Sequence, residues 1–322
     1  LHHALLDDVN AVPLLLANLA SDAQRADMPP PWVRTLASEA GVDAPFRQAS
    51  TLDPLSALST AGRAAAGLLK GSQTAFRTRS GLGRSTPHST LNRRINAQRR
   101  IATQQFERAR VERVARDTDS SLEELLTYLC GSSLRRFFKE YNALPAGPLI
   151  GLVPVSLAQR RPGVSGNVID ANRVSFATEV GDPMARLDAV KESIRTVRER
   201  RMSVAEEGAI AYEMLRAAPL VARQMPGVNM LTPPLYNLRF THTDGGSEAR
   251  YFDGARLQAI YPLAHLMQYS ALSIGVVDYA GMLNIGFTGA RDTLPHLQRL
   301  AVYFGSALED LEERVYEEEA SS

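Results

Sequence analysis

The chain reads as a mixed α/β protein in two parts, on three observations. From residue 91 onward, segments with the strand signature alternate with helical ones. Hydrophobic residues make up 44% of the 322, enough to bury a substantial core. A stretch dense in Gly, Ser, Thr and Pro, "GSQTAFRTRSGLGRSTPHST", separates this region from a helical N-terminal part. At roughly 100–200 residues per domain, the length also suggests two. These features place a complete α/β domain at residues 91–322, the end of another at residues 1–28, and a linking segment at residues 29–90.

From Asp7 to about Ala20 the apolar spacing is helical (Val9, Val12, Leu15, Leu16, Leu19). Asp7 or Asp8 is placed to cap this helix, since an aspartate there accepts orphan backbone N–H bonds and suits the positive helix end. Three successive prolines in "DMPPPW" end the pattern. A second helix is expected from Pro54 to Leu69, and the linker follows it. "RRIATQQF" reads as a strand and "ERARVERVARDT" as a short helix. Ser121 opens a stronger helix, with Glu124 three residues on completing a capping-box pattern. Leu122, Leu125, Leu126, Leu129, Phe137 and Phe138 give it the 3.6-residue period of a half-buried helix. Strands are expected at "LIGLVPVSL", "GNVIDANRVSFA", "YNLRFTHT", "ALSIGVVDYA" and "GMLNIGFTG", the last two close enough for a hairpin. A final helix is expected to begin near Thr293 with Pro295 in its first turn, burying Leu297, Leu300, Ala301, Phe304 and Leu308.

The net charge of +1 argues against a dedicated nucleic-acid binder. The charge is uneven, however, with eleven arginines against two glutamates between Arg77 and Arg116, and an acidic stretch from Glu309 to Glu319. The basic stretch suits anionic partners, although a solvated arginine face is the commoner cause. Cys130 is the only cysteine, which excludes an intrachain disulfide and suggests a reducing, cytoplasmic compartment. It lies in the apolar pattern of the strong helix, as a buried inert thiol would. Apolar stretches such as "PLLLANLA" fall short of the ~18 residues expected of a membrane span. The expectation is a soluble protein with peripheral contact at the inner face of a membrane. The chain begins at Leu1 rather than Met, which reads as a boundary within a longer sequence.

The scattered histidines His88, His242, His265 and His296, with no cysteine pair, do not suggest a metal site. "GVSGN" (Gly163–Asn167) fails the G-x-S-x-G pattern of a serine hydrolase, and "GLGRST" lacks the third glycine of a dinucleotide loop. There remains "HHALLDD", at His2 to Asp8. Read from the residues alone, the histidine pair is a tag remnant, half a metal site, an ordinary surface pair, or a base. An imidazole held just ahead of a capped helix, with one ring nitrogen free, can deprotonate an alcohol as it attacks an acyl carbonyl, with no covalent enzyme intermediate.

"HHALLDD" resembles the HHxxxDG motif of the CoA-dependent acyltransferases with the chloramphenicol acetyltransferase fold. Within that group the chain is similar to the bacterial wax ester synthase/diacylglycerol acyltransferase family. The similar segments are "LNRRINAQRRIA" (Leu91–Ala102), "PLIGLVPVSL" (Pro148–Leu157), the Gly166–Asn167 pair, "YFDGARLQAIYP" (Tyr251–Pro262), "ALSIGVVDYAGMLNIGF" (Ala271–Phe287) and "RDTLPHLQRL" (Arg291–Leu300). The resemblance implies a two-domain α/β (α+β) acyltransferase, a mixed sheet flanked by helices, with a tunnel between the halves. It implies long-chain transfer from acyl-CoA to diacylglycerol or a fatty alcohol, acyl-CoA being a co-substrate and no cofactor being required. His3, the second histidine of the pair beginning at His2, is then the general base, and Asp7 orders the loop. Most of the first domain would lie upstream of Leu1, so that this chain supplies the base and one wall of the tunnel. Contact with a membrane or lipid-droplet surface is also implied.

Three positions depart from the family pattern. Asp8 replaces the motif glycine, Glu123-Glu124 replaces an Asn-Asp pair, and "HTDGG" (His242–Gly246) replaces an Asn-Val-Pro-Gly-Pro turn. Glu123 and Glu124 read as first-turn helix acids and His242 as a loop residue. The departures leave a catalytically impaired lipid- or partner-binding member of the same fold as the alternative. A peripheral membrane module using the basic stretch is a third reading.

Overall fold

The computed structural model describes residues 11–25, 86–156, 169–203 and 233–320. The helix expected at residues 54–69, most of the linker and the capping aspartates lie outside the described residues. The described elements are α1 (Ala11–Ala17), β1 (Arg99–Glu107), α2 (Arg108–Asp117), α3 (Leu122–Glu140), β2 (Ile150–Ser156), β3 (Ile169–Ser175), α4 (Pro183–Ser203), β4 (Leu238–Asp244), β5 (Tyr251–Phe252), β6 (Ala255–Arg256), β7 (Leu272–Tyr279), β8 (Met282–Ala290) and α5 (Leu297–Ala320).

Six strands form one mixed sheet in the order β1-β8-β7-β4-β2-β3. β4 runs parallel to β7 and to β2, and the remaining pairs are antiparallel. All eight residues of β7 are buried, as befits a central strand covered on both faces. Alternation sends Leu272, Ile274 and Val276 into the main core, where Phe240, Ile285 and Phe287 meet them from β4 and β8. The helices α2–α5 cover that face. α3 lies against both α4 and α5, while α4 packs on β3 and α5 on β1.

α3 starts as the sequence predicts. The Ser121 hydroxyl accepts from the Glu124 N–H, and the Glu124 carboxylate accepts from the Ser121 N–H, closing the capping box. The helix is more deeply buried than its period suggests. Tyr128, Cys130, Gly131, Ser133 and Leu134 are covered along with the expected leucines. At Gly131 the backbone of α3 meets the Phe176 carbonyl so closely that a Cβ would lie 2.2 Å from its oxygen. Burial pushes the Cys130 thiol well up, so it is inert as expected.

Several elements differ from expectation. The final helix begins at Leu297 rather than Thr293, placing Pro295 before it, although all five expected core residues are buried. α4 and the small β5–β6 hairpin have no counterpart in the sequence reading. In α1, Val12 and Leu16 are buried but Leu15 faces solvent. The β7–β8 connection is a two-residue turn, with Ala280 at φ 50° and Gly281 at φ 80°. Positive φ at both positions matches the twist of the flanking strands. No described helix is long and apolar enough to cross a membrane.

Candidate functional site at the sheet end

β4 and β7 run side by side and finish together at Asp244 and Asp278. The crevice beyond the carboxyl ends of parallel strands is the usual place for a site in such sheets. Two structures converge on this end from opposite faces. On the face away from α2–α5, α1 packs Val12 and Leu16 against Val277 and Tyr279, with Leu19, Leu257 and Ile260 around them. Ala20 then pairs with Tyr251. The Tyr279 hydroxyl accepts from the Arg250 N–H at 2.8 Å and donates to the Leu257 carbonyl at 3.2 Å, which fixes this corner. On the same face Pro262 lies over Gly275 and Gly286, which are partners across β7 and β8. A Cβ at Gly286 would fall 2.1 Å from the Pro262 carbonyl oxygen, so a side chain there is excluded.

On the helix face the strand ends carry a charged cluster. His242 shares that face with Phe240, opposite Val276. Its Nε2 is buried and has no hydrogen-bond partner among the described residues. Burial holds the imidazole below the usual histidine range, against the pull of Glu123 and Asp244, while Arg108 adds to the depression. The imidazole is therefore neutral near pH 7. Arg108, the first residue of α2, bridges Glu112 (2.6 Å) and Asp278. Burial raises the Asp278 carboxyl above its ordinary value, and Arg108 partly offsets this. The turn after β4 is locked to this end, with the Gly245 N–H donating to the Asp278 carbonyl at 2.6 Å and the Ala280 N–H to the Gly246 carbonyl at 2.9 Å. The Arg108 N–H donates to the Gly281 carbonyl at 2.9 Å, so the start of α2 is tied to the same hairpin.

His2, His3 and Asp7 lie outside the described residues, as does Asp8. In sequence His3 stands eight residues ahead of Ala11, a reach of at most about 29 Å from the first residue of α1. His242 lies inside β4, as the expected strand "YNLRFTHT" has it and against its reading as a loop residue, because the strand continues to Asp244 before the turn. Glu123 and Glu124 are first-turn acids, as expected. Glu123 pairs with Arg198 of α4 at 2.9 Å, and Glu124 lies 3.5 Å from the same guanidinium. Arg108 and Asp278 escaped the sequence reading. A lone carboxylate in the apolar run "IGVVDY" was the available signal. Among the described residues no group of His, Cys, Asp and Glu is arranged to hold a metal.

The wax ester synthase/diacylglycerol acyltransferase catalytic-domain model matches residues 1–126, and the C-terminal-domain model of the same family matches residues 165–312. A relative from Mycobacterium bovis, named as a diacylglycerol O-acyltransferase, is 32% identical over 98% of this chain and 70% of its own length. A Mycobacterium tuberculosis relative with a diacylglycerol O-acyltransferase name matches to the same extent. This chain belongs to the wax ester synthase/diacylglycerol acyltransferase family. Among solved structures, the wax ester synthase/diacylglycerol acyltransferase of Marinobacter aquaeolei superposes with a TM-score of 0.71 at 23% identity, covering 98% of this chain and 66% of that one. The fold is thus the chloramphenicol acetyltransferase-like one that the motif implies. Within that family pattern, the positions expected as Asn-Asp and as the first residue of the Asn-Val-Pro-Gly-Pro turn are here Glu123-Glu124 and His242. The structure brings Glu123 and His242 into one electrostatic neighbourhood. Gly245 and Gly246 keep the turn without its prolines. Gly246 has φ 81°, and a Cβ at Gly245 would lie 2.8 Å from the Asp278 carbonyl oxygen.

Proposed function

We propose that the protein is an O-acyltransferase that moves a long acyl chain from acyl-CoA to the hydroxyl of a diacylglycerol or fatty alcohol, with His3 as the general base. The observation that carries this reading is the match of both family models and of near full-chain relatives, with "HHALLDD" inside the matched catalytic region. The placement of α1 supports it, because the helix following the motif is seated at the carboxyl end of β7.

In this reading the His3 imidazole takes the hydroxyl proton as the alcohol oxygen attacks the thioester carbonyl. Collapse of the tetrahedral intermediate re-forms the carbonyl as an ester and expels the CoA thiolate, to which the imidazolium returns the proton. The Asp7 carboxylate orders the motif loop. Residues 91–322 act as one unit and residues 1–28 bring the motif to it. Acyl-CoA enters as a substrate, and no resident cofactor takes part.

Replacing His3 with Ala should lower acyl-CoA turnover by ~10²–10⁴-fold, the usual share of a positioned general base. Circular dichroism should be unchanged. Unaltered turnover would remove His3 from the mechanism. A wild-type protein that binds diacylglycerol but transfers nothing would favour the impaired lipid-binding reading instead.

A further inference from the structure

A second polar site lies on the far side of the helical layer, away from the strand ends. α3, α4 and α5 enclose an open cleft of about 240 Å³, whose lining includes Arg135, Arg136, Lys139, Arg186, Tyr303 and Asp310. Four cations therefore meet one carboxylate. At about 30 Å³ per water the space holds roughly eight, enough for a phosphate group and part of its carrier.

The imbalance is built into the fold. Arg186 is only 6% exposed, yet its three side-chain hydrogen bonds among the described residues go to uncharged groups: the Val180 carbonyl (2.9 Å), the Gly181 carbonyl (2.8 Å) and the Ser132 hydroxyl (2.8 Å). Arg135 donates to the Thr178 carbonyl at 2.7 Å. Burial first, and then the neighbouring Arg135 charge, press the Arg186 guanidinium downward, against the pull of Tyr128 and Asp182. Arg136 lies over the Tyr303 ring, 4.6 Å from its centroid, which holds the guanidinium at the cleft with no carboxylate partner among the described residues. Among the described residues, the ion pairs of this region involve none of the four cations.

The nearby carboxylates that would neutralise them are engaged elsewhere. Glu140 accepts from the Tyr303 hydroxyl and pairs with Arg299. Asp182 accepts from the Ala185 N–H at 2.9 Å and faces Arg314 at 3.8 Å. Asp182 precedes Pro183 at the start of α4, where the Ala185 N–H holds its carboxylate. Planar guanidiniums beside a compact ammonium form the donor set that recognises phosphate oxygens.

We propose that this cleft binds a phosphate group, carried by a small soluble phosphate or by a lipid headgroup, with Arg136 and Lys139 closing on its oxygens and the half-buried Arg135 and buried Arg186 supplying a positive field behind them. The site is distinct from the strand-end cluster and does not depend on the acyl-transfer reading.

The test uses the intact protein at low ionic strength, where such contacts are least screened. Calorimetric titration with inorganic pyrophosphate and with inorganic phosphate reads the soluble source. Co-sedimentation with phosphatidylglycerol against phosphatidylcholine vesicles reads the lipid source. Both measurements are repeated on Arg136→Gln/Lys139→Gln and on the control Arg195→Gln, an exposed arginine elsewhere on α4. The double variant replaces exposed side chains, so its melting temperature should match the wild type. Loss of two charge-assisted contacts should weaken binding about tenfold or more. The control should bind as the wild type does. Sensitivity confined to pyrophosphate or phosphate supports a soluble ligand, and sensitivity confined to phosphatidylglycerol supports a headgroup. Absence of binding in both arms, or binding equally affected in the control, would overturn the proposal.

Discussion

His242 sits where the family pattern has the asparagine of its turn, and its buried Nε2 finds no partner among the described residues. Three charges face it from the surrounding elements: Glu123 on α3, Asp244 on its own strand and Arg108 on α2. Burial outweighs the two carboxylates, so the folded pKa lies below the usual 6.5. Protonation then favours the unfolded chain. The stability associated with a neutral His242 is complete above about pH 6.5 and declines as the pH falls toward the folded value. The raised Asp278 carboxyl works in the opposite sense on acidification and is common to both proteins compared. We therefore expect the wild-type melting temperature to fall more steeply between pH 7 and pH 5.5 than that of His242→Asn. Parallel slopes would mean that His242 does not titrate in the fold. At this scale the sequence was only partly legible. The capping pair Ser121 and Glu124 and the buried Cys130 follow from local pattern. The convergence of Arg108, His242 and Asp278 does not, because these residues are brought together by the parallel pairing of β4 with β7, across a long stretch of chain.

Among the elements, those with strong periods were legible: β1, α2, α3 and the β7–β8 pair lie where alternation or the 3.6-residue spacing puts them. α4 was missed because its apolar positions are diluted by "KESIRTVRERR", and its seat on β3 and α3 is a tertiary choice. The β5–β6 hairpin was missed although "DG" announces it, with Asp253 at φ 47° and Gly254 at φ 78°. His242 lies within β4 although Thr-Asp-Gly-Gly follows it, because the turn starts only after Asp244. Glycines show how the elements meet, and two of them should respond differently to alanine. At Gly281 the added methyl meets nothing within 4 Å and the cost is that of φ 80° alone, about 1 kcal/mol. At Gly131 it would strike the Phe176 backbone and force α3 away from the end of β3, costing about 3 kcal/mol or more. Urea unfolding of the two variants checks the ranking, and an equal loss would show that α3 shifts freely.

Across the whole molecule, the described residues divide into unequal packing units. The large core joins the six-stranded sheet to α2–α5, whereas α1 belongs to a small satellite cluster centred on Val12, Leu16, Val277 and Tyr279. Few apolar contacts and short elements favour local opening at low free energy. Hydrogen exchange should accordingly be slowest in β7 and β8 and distinctly faster in α1 and in β5–β6. This gradient bears on the proposed catalysis, because "HHALLDD" directly precedes α1 in the sequence. The main core can remain intact while α1 opens. Leu16→Ala removes one of the two buried side chains of α1 without touching the large core. We expect it to leave the melting temperature of the sheet nearly unchanged and to lower acyl-CoA turnover about tenfold or more, since misplacing a catalytic group by about 1 Å can cost ~10²-fold. Exchange in α1 should accelerate in the same variant while that in β7 stays constant. Turnover preserved together with faster exchange in α1 would show that the motif is positioned by contacts other than this helix.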